Sequence, residues 1–389
     1  MTSVTLIKSE LFRQGGLEKY SWQIAADFCD LGLPVTVLTT GVNSPAFTHP
    51  CLNVVSLPLP RRFLSVANVL QFDKACQAYL DRNPTPVVFG LDRNRFQTHM
   101  RAGNGVHAAY LKRRSLEEGW AKQMSFAINP LHRAILSLEK KALEHPDLKV
   151  LFTNSEMVKQ EVLQFYRIDP DKIRVVHNGV EWKAMQQAFD TWEEAREKTL
   201  NAFSLDKTAF QFLFIGHNFR RKGLEKLLSA LALIKNERFC LSVIGKEKDL
   251  SYFKGLIERL GLADKVFIFG PQKETISFYQ MADCLVIPSL YDPFANVTVE
   301  ALAMGLFVLS SKNNGGSEVL TSQNGAVIDS LDDAQGFAAA LLRAMARTKT
   351  RQNATAVRQT VEHLDFSLQL RRITELSVNP TCPLPCLRD

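Results

Sequence analysis

The sequence predicts an α/β protein made of two doubly wound, Rossmann-like domains, each a parallel sheet with helices on both faces. Three observations carry this. At 389 residues the chain is too long for one small core, and two or three domains are expected. Short β-rich runs alternate with helical ones through both halves, the pattern of parallel strands joined by helical crossovers. The composition, 46% apolar and 22% charged, is that of a soluble globular chain.

In the first half the strand-like runs are Val4 to Lys8, Val35 to Thr39, Val54 to Leu57, Val87 to Gly90 and Val150 to Asn154. Helical stretches such as Leu17 to Leu31 and Val66 to Asp81 separate them. After a further strand, Ile173 to Val176, the polar glycine turn His177 Asn178 Gly179 Val180 leads into a charged stretch without periodicity, Glu181 to Lys207. The boundary is therefore expected near residue 178. A second series follows at Phe210 to Gly216, Cys240 to Gly245, Lys265 to Phe269, Cys284 to Pro288, Phe307 to Ser311 and Ala326 to Asp329, and defines a second domain over 179–364. The cleft between two such domains is the default place for a ligand. The tail 379–389, with three prolines, is expected to be disordered.

Several classes are disfavoured at once. Met1 to Lys8 lacks the apolar core of a signal peptide, and nowhere do 18 apolar residues run together, so a cytosolic protein that does not span a membrane is expected. The seven cysteines, odd in number, read as reduced and mostly buried thiols. No Gly-x-Ser-x-Gly and no His-Glu-x-x-His occurs, so a hydrolase triad or zinc site has no support.

The net charge of +7 is concentrated. Residues 61–143 hold 14 Lys or Arg against 6 Asp or Glu, an excess of +8, which leaves −1 for the rest of the chain. Within this block Trp120, Met124, Leu131, Ile135, Leu138 and Ala142 recur at roughly helical spacing, with Lys112, Arg113, Arg114, Lys122, Arg133, Lys140 and Lys141 around them. Two readings stand side by side: a basic amphipathic surface for an anionic membrane, or a helix pair whose apolar stripe packs into the core, interrupted at Asn129 Pro130. The block lacks interleaved stacking aromatics, so no nucleic-acid partner is expected.

The most informative motif is Tyr291 Asp292 Pro293 Phe294 Ala295 Asn296 Val297 Thr298 Val299 Glu300. It follows an apolar strand and opens a helix, so the amides near Asn296 and Val297 can hold a phosphate, while Glu300, one turn in, can accept from a ribose diol. Ordinary capping by Asp292 or Asn296 is the competing reading. In the same half Gly216 to Gly223 joins a strand to a helix, and there Arg221 and Lys222 can neutralise a diphosphate. In the first half Gly15 and Gly16 lie between the first strand and helix, and His107 sits in a loop after Gly103 Asn104 Gly105. A further Gly-Gly turn, Gly315 Gly316, precedes Glu318.

Taken in order, Gly15 Gly16 Leu17 Glu18, the His107 loop, Val176 His177 Asn178 Gly179 Val180, Arg221 Lys222 Gly223, Gly245 Lys246, Asp292 to Glu300, and Gly315 Gly316 with Glu318 resemble the retaining glycosyltransferases of family 4, which have the two-domain GT-B fold. Through Gly216 with Phe219 Arg220 Arg221 Lys222 Gly223, and through the basic block, the chain looks most like the lipopolysaccharide core glucosyltransferases. The resemblance implies an acceptor-binding domain over 1–178, a nucleotide-sugar domain over 179–364, and a last helix near 365–378 that packs back on the first domain. It implies that Arg221 and Lys222 hold the donor diphosphate, Glu300 the ribose, and the amides of Asn296 and Val297 the distal phosphate. Gly245 and Lys246 would face the uracil, Gly15 and Gly16 the diphosphate, His107 the transferred sugar, and Asp292 the sugar hydroxyls. Asp292 departs from the Glu usual there and is one methylene shorter. No cofactor is implied beyond the nucleotide-sugar substrate. Metal independence is expected. The implied activity is transfer of a hexose, glucose from UDP-glucose, to a lipid-linked saccharide on the inner face of the cytoplasmic membrane. The alternatives are another family 4 transferase, with a different sugar or polysaccharide acceptor, and a UDP-sugar epimerase on the same fold.

Overall fold

The computed structural model describes residues 2–11, 16–41, 48–57, 65–118, 124–126 and 128–379. Gly15, Trp120, Lys122 and the tail beyond 379 lie outside them. The chain divides into two compact units, Met1–Val176 with Gln369–Asp389, and His177–Leu368.

The first unit holds β1 (Val4–Ile7), β2 (Val35–Thr39), β3 (Leu52–Ser56), β4 (Val87–Gly90), β5 (His99–Ala102), β6 (Val150–Thr153) and β7 (Ile173–Val175). They form one sheet in the order β3-β2-β1-β4-β5-β6-β7, every pair parallel. The second unit holds β8 (Phe210–Ile215), β9 (Phe239–Ile244), β10 (Val266–Gly270), β11 (Cys284–Ile287), β12 (Phe307–Ser311) and β13 (Gly325–Ile328), in the order β10-β9-β8-β11-β12-β13, again all parallel. Strands covered on both faces are largely apolar along their length, which is why β8, β9, β11 and β12 read as nearly continuous apolar runs and are buried throughout. Both units are thus doubly wound α/β layers, as expected. Each sheet reverses its strand order once, β1 against β4 and β8 against β11, and at such a reversal the loops after the strands diverge and leave a crevice.

Three features differ from the sequence reading. β5 was not expected, because His99 and Arg101 break the apolar pattern, yet both are buried within a central strand. The stretch Glu181 to Lys207 contains two helices, Gln186–Asp190 and Trp192–Ala202. Its charges hide a buried stripe of Met185, Phe189, Trp192 and Leu200, which packs into the core of the second unit. The contact division falls after Val176 rather than 178, and within the last helix, Phe366–Val378, residues from Gln369 onward belong to the first unit. There Thr374 Oγ1 donates to Asp27 Oδ2 on the helix Gly16–Asp30.

The C-terminal part of the basic block holds the helices His107–Glu118 and Pro130–Leu143. Asn129 caps the second, its Oδ1 accepting the N–H groups of Leu131 at 2.9 Å and His132 at 3.4 Å, with Pro130 at the first helical position. The stripe is divided: Leu138 and Ala142 are buried, while Met124 and Ile128 are 57% and 70% exposed. No described helix is long and apolar enough to cross a membrane.

Buried His99 yields a pH prediction. Burial, with the Lys149 charge adding, holds its pKa down from 6.5 to about 4. The unfolded chain takes up this proton as pH falls through 6.5 while the folded chain does not until about 4, so stability is lost across that window. The loss is on the order of 3 kcal/mol. His107, lowered to about 4 chiefly by burial, contributes in the same direction. Urea unfolding of His99→Leu between pH 7 and pH 4 is expected to show a shallower fall than the wild type; an unchanged slope would refute the assignment.

Candidate functional site

In the second unit the loops after β8 and β11 flank the strand-order reversal, and they hold most of the expected residues. The loop after β8 is a tight turn. Asn218 adopts the left-handed conformation at φ +59°, its N–H donating to Lys246 O at 3.0 Å, and its Oδ1 accepts the Arg221 N–H at 3.2 Å. Gly223, at φ +78°, starts the helix Leu224–Leu233, and a Cβ there would stand 1.9 Å from Pro288 O, so only glycine fits. This close approach presses the turn against the loop after β11, where the Leu290 N–H donates to Arg221 O at 2.9 Å.

Across that junction Lys222 Nζ meets Asp292 Oδ2 in a buried ion pair. Arg221 lies 3.5 Å from the same oxygen and donates to Tyr291 O at 2.9 Å. Gly216 lets the lysine pass: a Cβ there would lie 2.8 Å from Lys222 Cγ. Gly245, at the end of β9, packs its backbone on Gly216 so closely that a Cβ would lie 1.9 Å from Gly216 O. Lys246 is exposed, and its N–H donates to His217 Nδ1 at 2.9 Å.

Asp292 is itself fixed from below. Its N–H donates to Asn313 O and its carbonyl accepts from the Gly315 N–H, both at 2.9 Å. Buried Asn314 links the parts: its Oδ1 accepts from the Ala295 N–H at 2.9 Å and Gly316 N–H at 3.0 Å, and its Nδ2 donates to Ser310 Oγ at 2.9 Å. Neither Asp292 nor Asn296 caps the helix Asn296–Ala303. Its N-cap is Ala295, with no side-chain cap, and no described protein acceptor meets the N–H groups of Asn296 and Val297. The competing reading of the motif as ordinary capping therefore does not hold. The helix end presents free donors and the positive end of its dipole. Asn178 Nδ2 donates to Asn296 Oδ1 at 2.6 Å, and His177 Nε2 lies 3.1 Å from Glu318 Oε2, which ties the start of the second unit to this helix end and the glycine turn.

Glu300 stands one turn into the helix, half-buried. Its Oε2 accepts from the hydroxyl of fully buried Tyr279 at 2.6 Å. Burial raises the Glu300 pKa and the Glu181 charge adds to this, while the Tyr279 bond opposes it. Neither Tyr279 nor Asn314 was expected at the site from sequence. Tyr279 lies in the short helix Ile276–Met281, and Asn314 directly precedes the glycine turn.

The first unit holds the remaining residues. Gly16 opens the helix Gly16–Asp30. His107 is not in a loop but is the first residue of its helix, with its N–H 3.0 Å from both carboxylate oxygens of Glu139. The same carboxylate accepts from Arg93 Nε at 2.5 Å and Tyr166 OH at 2.6 Å. The His107 ring meets His132, Nε2 to Nδ1, at 3.1 Å. Burial first, then the Arg93 charge, holds His107 neutral at pH 7. The chain's Asp-x-Asp, Asp169 Pro170 Asp171, lies in this unit as a plain turn, Asp169 Oδ1 accepting the Asp171 N–H at 2.9 Å.

The chain is similar to known proteins in sequence and fold. The family models described as Glycosyltransferase Family 4 and Glycosyl transferases group 1 match residues 14–182 and 195–357. An uncharacterized glycosyltransferase of Methanocaldococcus jannaschii is 31% identical over 177 residues, 44% of each chain. The D-inositol 3-phosphate glycosyltransferase of Paenarthrobacter aurescens is 24% identical over 351 residues, 81% of each. A lipopolysaccharide core biosynthesis glycosyltransferase of Rhizobium meliloti is 31% identical over 135 residues, 35% of this chain and 39% of that one. The chain thus spans less than half the length of two of these three relatives. Among solved structures, WaaG, a glycosyltransferase involved in lipopolysaccharide biosynthesis, superposes with a TM-score of 0.74 at 19% identity over 97% of this chain and 100% of its own. Anabaena HepE, in complex with UDP and glucose, gives 0.65 at 15% identity over 97% and 100%. With its two models in this order on two parallel-sheet units, the chain belongs to the family 4 glycosyltransferases of the GT-B fold.

Proposed function

We propose that the protein is a retaining, metal-independent hexosyltransferase that takes glucose from UDP-glucose and transfers it to a lipid-linked saccharide such as the lipopolysaccharide core. The observation that carries this reading is the junction of Arg221, Lys222 and Asp292 in the same unit as the uncapped helix end at Asn296 and Val297. UDP is the nucleotide bound in a solved neighbour, and a relative and a neighbour are both named for lipopolysaccharide biosynthesis.

The chemistry follows from charge. As the bond between the sugar and the diphosphate breaks, negative charge grows on the leaving phosphate, and fixed donors aimed at it lower the barrier. Arg221, Lys222 and the two amides supply them. In the free protein Asp292 holds both cations; an arriving diphosphate takes them over, and the released carboxylate turns to the sugar hydroxyls. Glu300, positioned by Tyr279 through one oxygen, receives the ribose on the other. The departing phosphate takes the proton of the acceptor hydroxyl on the same face of the sugar, which retains the anomeric configuration. Gly245 and Lys246 face the uracil. His107, being neutral, suits a sugar hydroxyl better than a phosphate. The acceptor belongs to the first unit, whose basic helices with exposed Met124 and Ile128 lie on an anionic membrane, where each basic residue contributes about 1 kcal/mol.

Arg221→Ala and Glu300→Ala are each expected to lower transfer from UDP-glucose roughly 100-fold or more, with circular dichroism unchanged and EDTA present throughout. Wild-type rates in either variant would refute the site; activity lost to EDTA and restored by magnesium would refute metal independence. Flotation tests the membrane reading. Wild-type protein is expected to float with anionic and not neutral vesicles, and to stay behind once Lys112, Arg113, Arg133, Lys140 and Lys141 are changed to Gln; unchanged flotation would refute this role for the block.

A further inference from the structure

The helices that carry Tyr279 and Glu300, Ile276–Met281 and Asn296–Ala303, are both held at their carboxyl ends by one later segment of the same unit. That segment runs from Lys349, in the loop after the helix Ala334–Met345, into the helix Arg351–Gln359. The last carbonyls of a helix have no partner inside it, and cations are favoured there. Lys349 Nζ donates to Tyr279 O at 3.2 Å and to Gln280 O at 3.5 Å, and Arg196 Nη1 donates to Met281 O at 2.5 Å. Arg358 serves the second helix: its Nη1 donates to Ala303 O, while its Nη2 donates to Trp182 O at 2.6 Å and Gln186 Oε1 at 3.0 Å. Gly305, at φ +74°, lets the chain after that helix pass so close to the segment that a Cβ would lie 2.6 Å from Ala354 Cβ.

These cations are not surface caps. Lys349 is 7% and Arg358 2% exposed, and each lies over a tryptophan ring, Trp192 at 4.3 Å and Trp182 at 4.2 Å from the centroid. Burial holds the Lys349 pKa well below the usual lysine range, with the Asp283 charge opposing. Taking such groups from water is costly, and the cost is offset only where their donors are used.

What Lys349 holds is a helix too short to hold itself. Six residues make fewer than two turns and have little stability alone. Its place is set by its attachments, and Tyr279 is attached at both ends, its carbonyl to Lys349 and its hydroxyl to Glu300 Oε2 at 2.6 Å. A shift of about an ångström at the first bond would break the second.

We infer that Lys349 and Arg358 are positioning residues for the ribose: they fix the carboxyl ends of the two helices, so that Tyr279 holds one oxygen of Glu300 and the other meets the ribose diol. The inference rests on the transferase reading and adds to it two residues that touch no substrate.

Calorimetric titration of the full-length protein with UDP and with 2′,3′-dideoxy-UDP, which lacks the diol, tests this. The wild type is expected to prefer UDP; no preference would remove Glu300 from the ribose and overturn the inference with it. Lys349→Met and Arg358→Met are each expected to bind UDP about tenfold more weakly, the loss of one hydrogen bond to a charged group, and to bind the dideoxy nucleotide as the wild type does. Tyr279→Phe is expected to show the same selective loss, and adding Lys349→Met to it no further loss. Equal weakening of both nucleotides, the mark of a merely structural cap, would overturn the inference, as would unchanged UDP affinity in the methionine variants or additive losses in the double variant. Thermal unfolding recorded in parallel shows which variants are folded. Where a methionine variant is not, Tyr279→Phe carries the test, since it leaves both cations in place, and an undiminished preference for UDP there would overturn the inference. The transferase reading fails separately, through absence of UDP binding by the wild type.

Discussion

The second unit is organised around one buried contact, Lys222 with Asp292. A lysine and a carboxylate taken from water together are stable only when geometry and neighbouring hydrogen bonds compensate for lost hydration. That requirement explains the surrounding sequence. Gly216 has no side chain because the lysine stem lies on it, Gly223 has none because Pro288 presses there, and Asn313 and Gly315 hold the Asp292 backbone from the other side. The pair joins the two loops of the switch point into one platform, and the uncapped helix beginning at Asn296 rises from its edge. A charge cluster of this kind, with Arg221 beside it, stores cations in a place that would otherwise repel one another or attract water.

The two units use one topology for opposite electrostatic ends. Both sheets reverse order once, and in both the polar residues collect in the loops after the two diverging strands. In the second unit these loops bring together Arg221, Lys222 and free backbone N–H groups, the equipment for a diphosphate. In the first they bring together cations and carboxylates already paired.

Much of this was legible in the sequence, for physical reasons that differ by residue. Strands covered on both faces are mostly apolar, so β8, β9, β11 and β12 stand out, whereas β5, with His99 and Arg101 buried in mid-strand, does not. Arg221, Lys222, Asp292 and Glu300 were visible because their spacing is local to two turns. What joins those turns was not: the pairing of Lys222 with Asp292 spans 70 residues, and the Tyr279 bond to Glu300 depends on a helix whose aromatic looked like ordinary core. Glu181 to Lys207 hid its helices for a related reason, since charge on the solvent side of a short helix outnumbers the few apolar residues on the other.

The claim on which the account turns is that Asp292 and a donor diphosphate compete for the same two cations. Calorimetric titration of UDP into the wild type and Asp292→Asn measures this directly, because UDP carries the diphosphate without the sugar. If the competition is real, the variant binds UDP about tenfold more tightly, a gain of roughly 1.4 kcal/mol, although its transfer rate falls. UDP affinity equal to or weaker than that of the wild type would contradict it, and would make the Lys222 and Asp292 pair a strut rather than a switch.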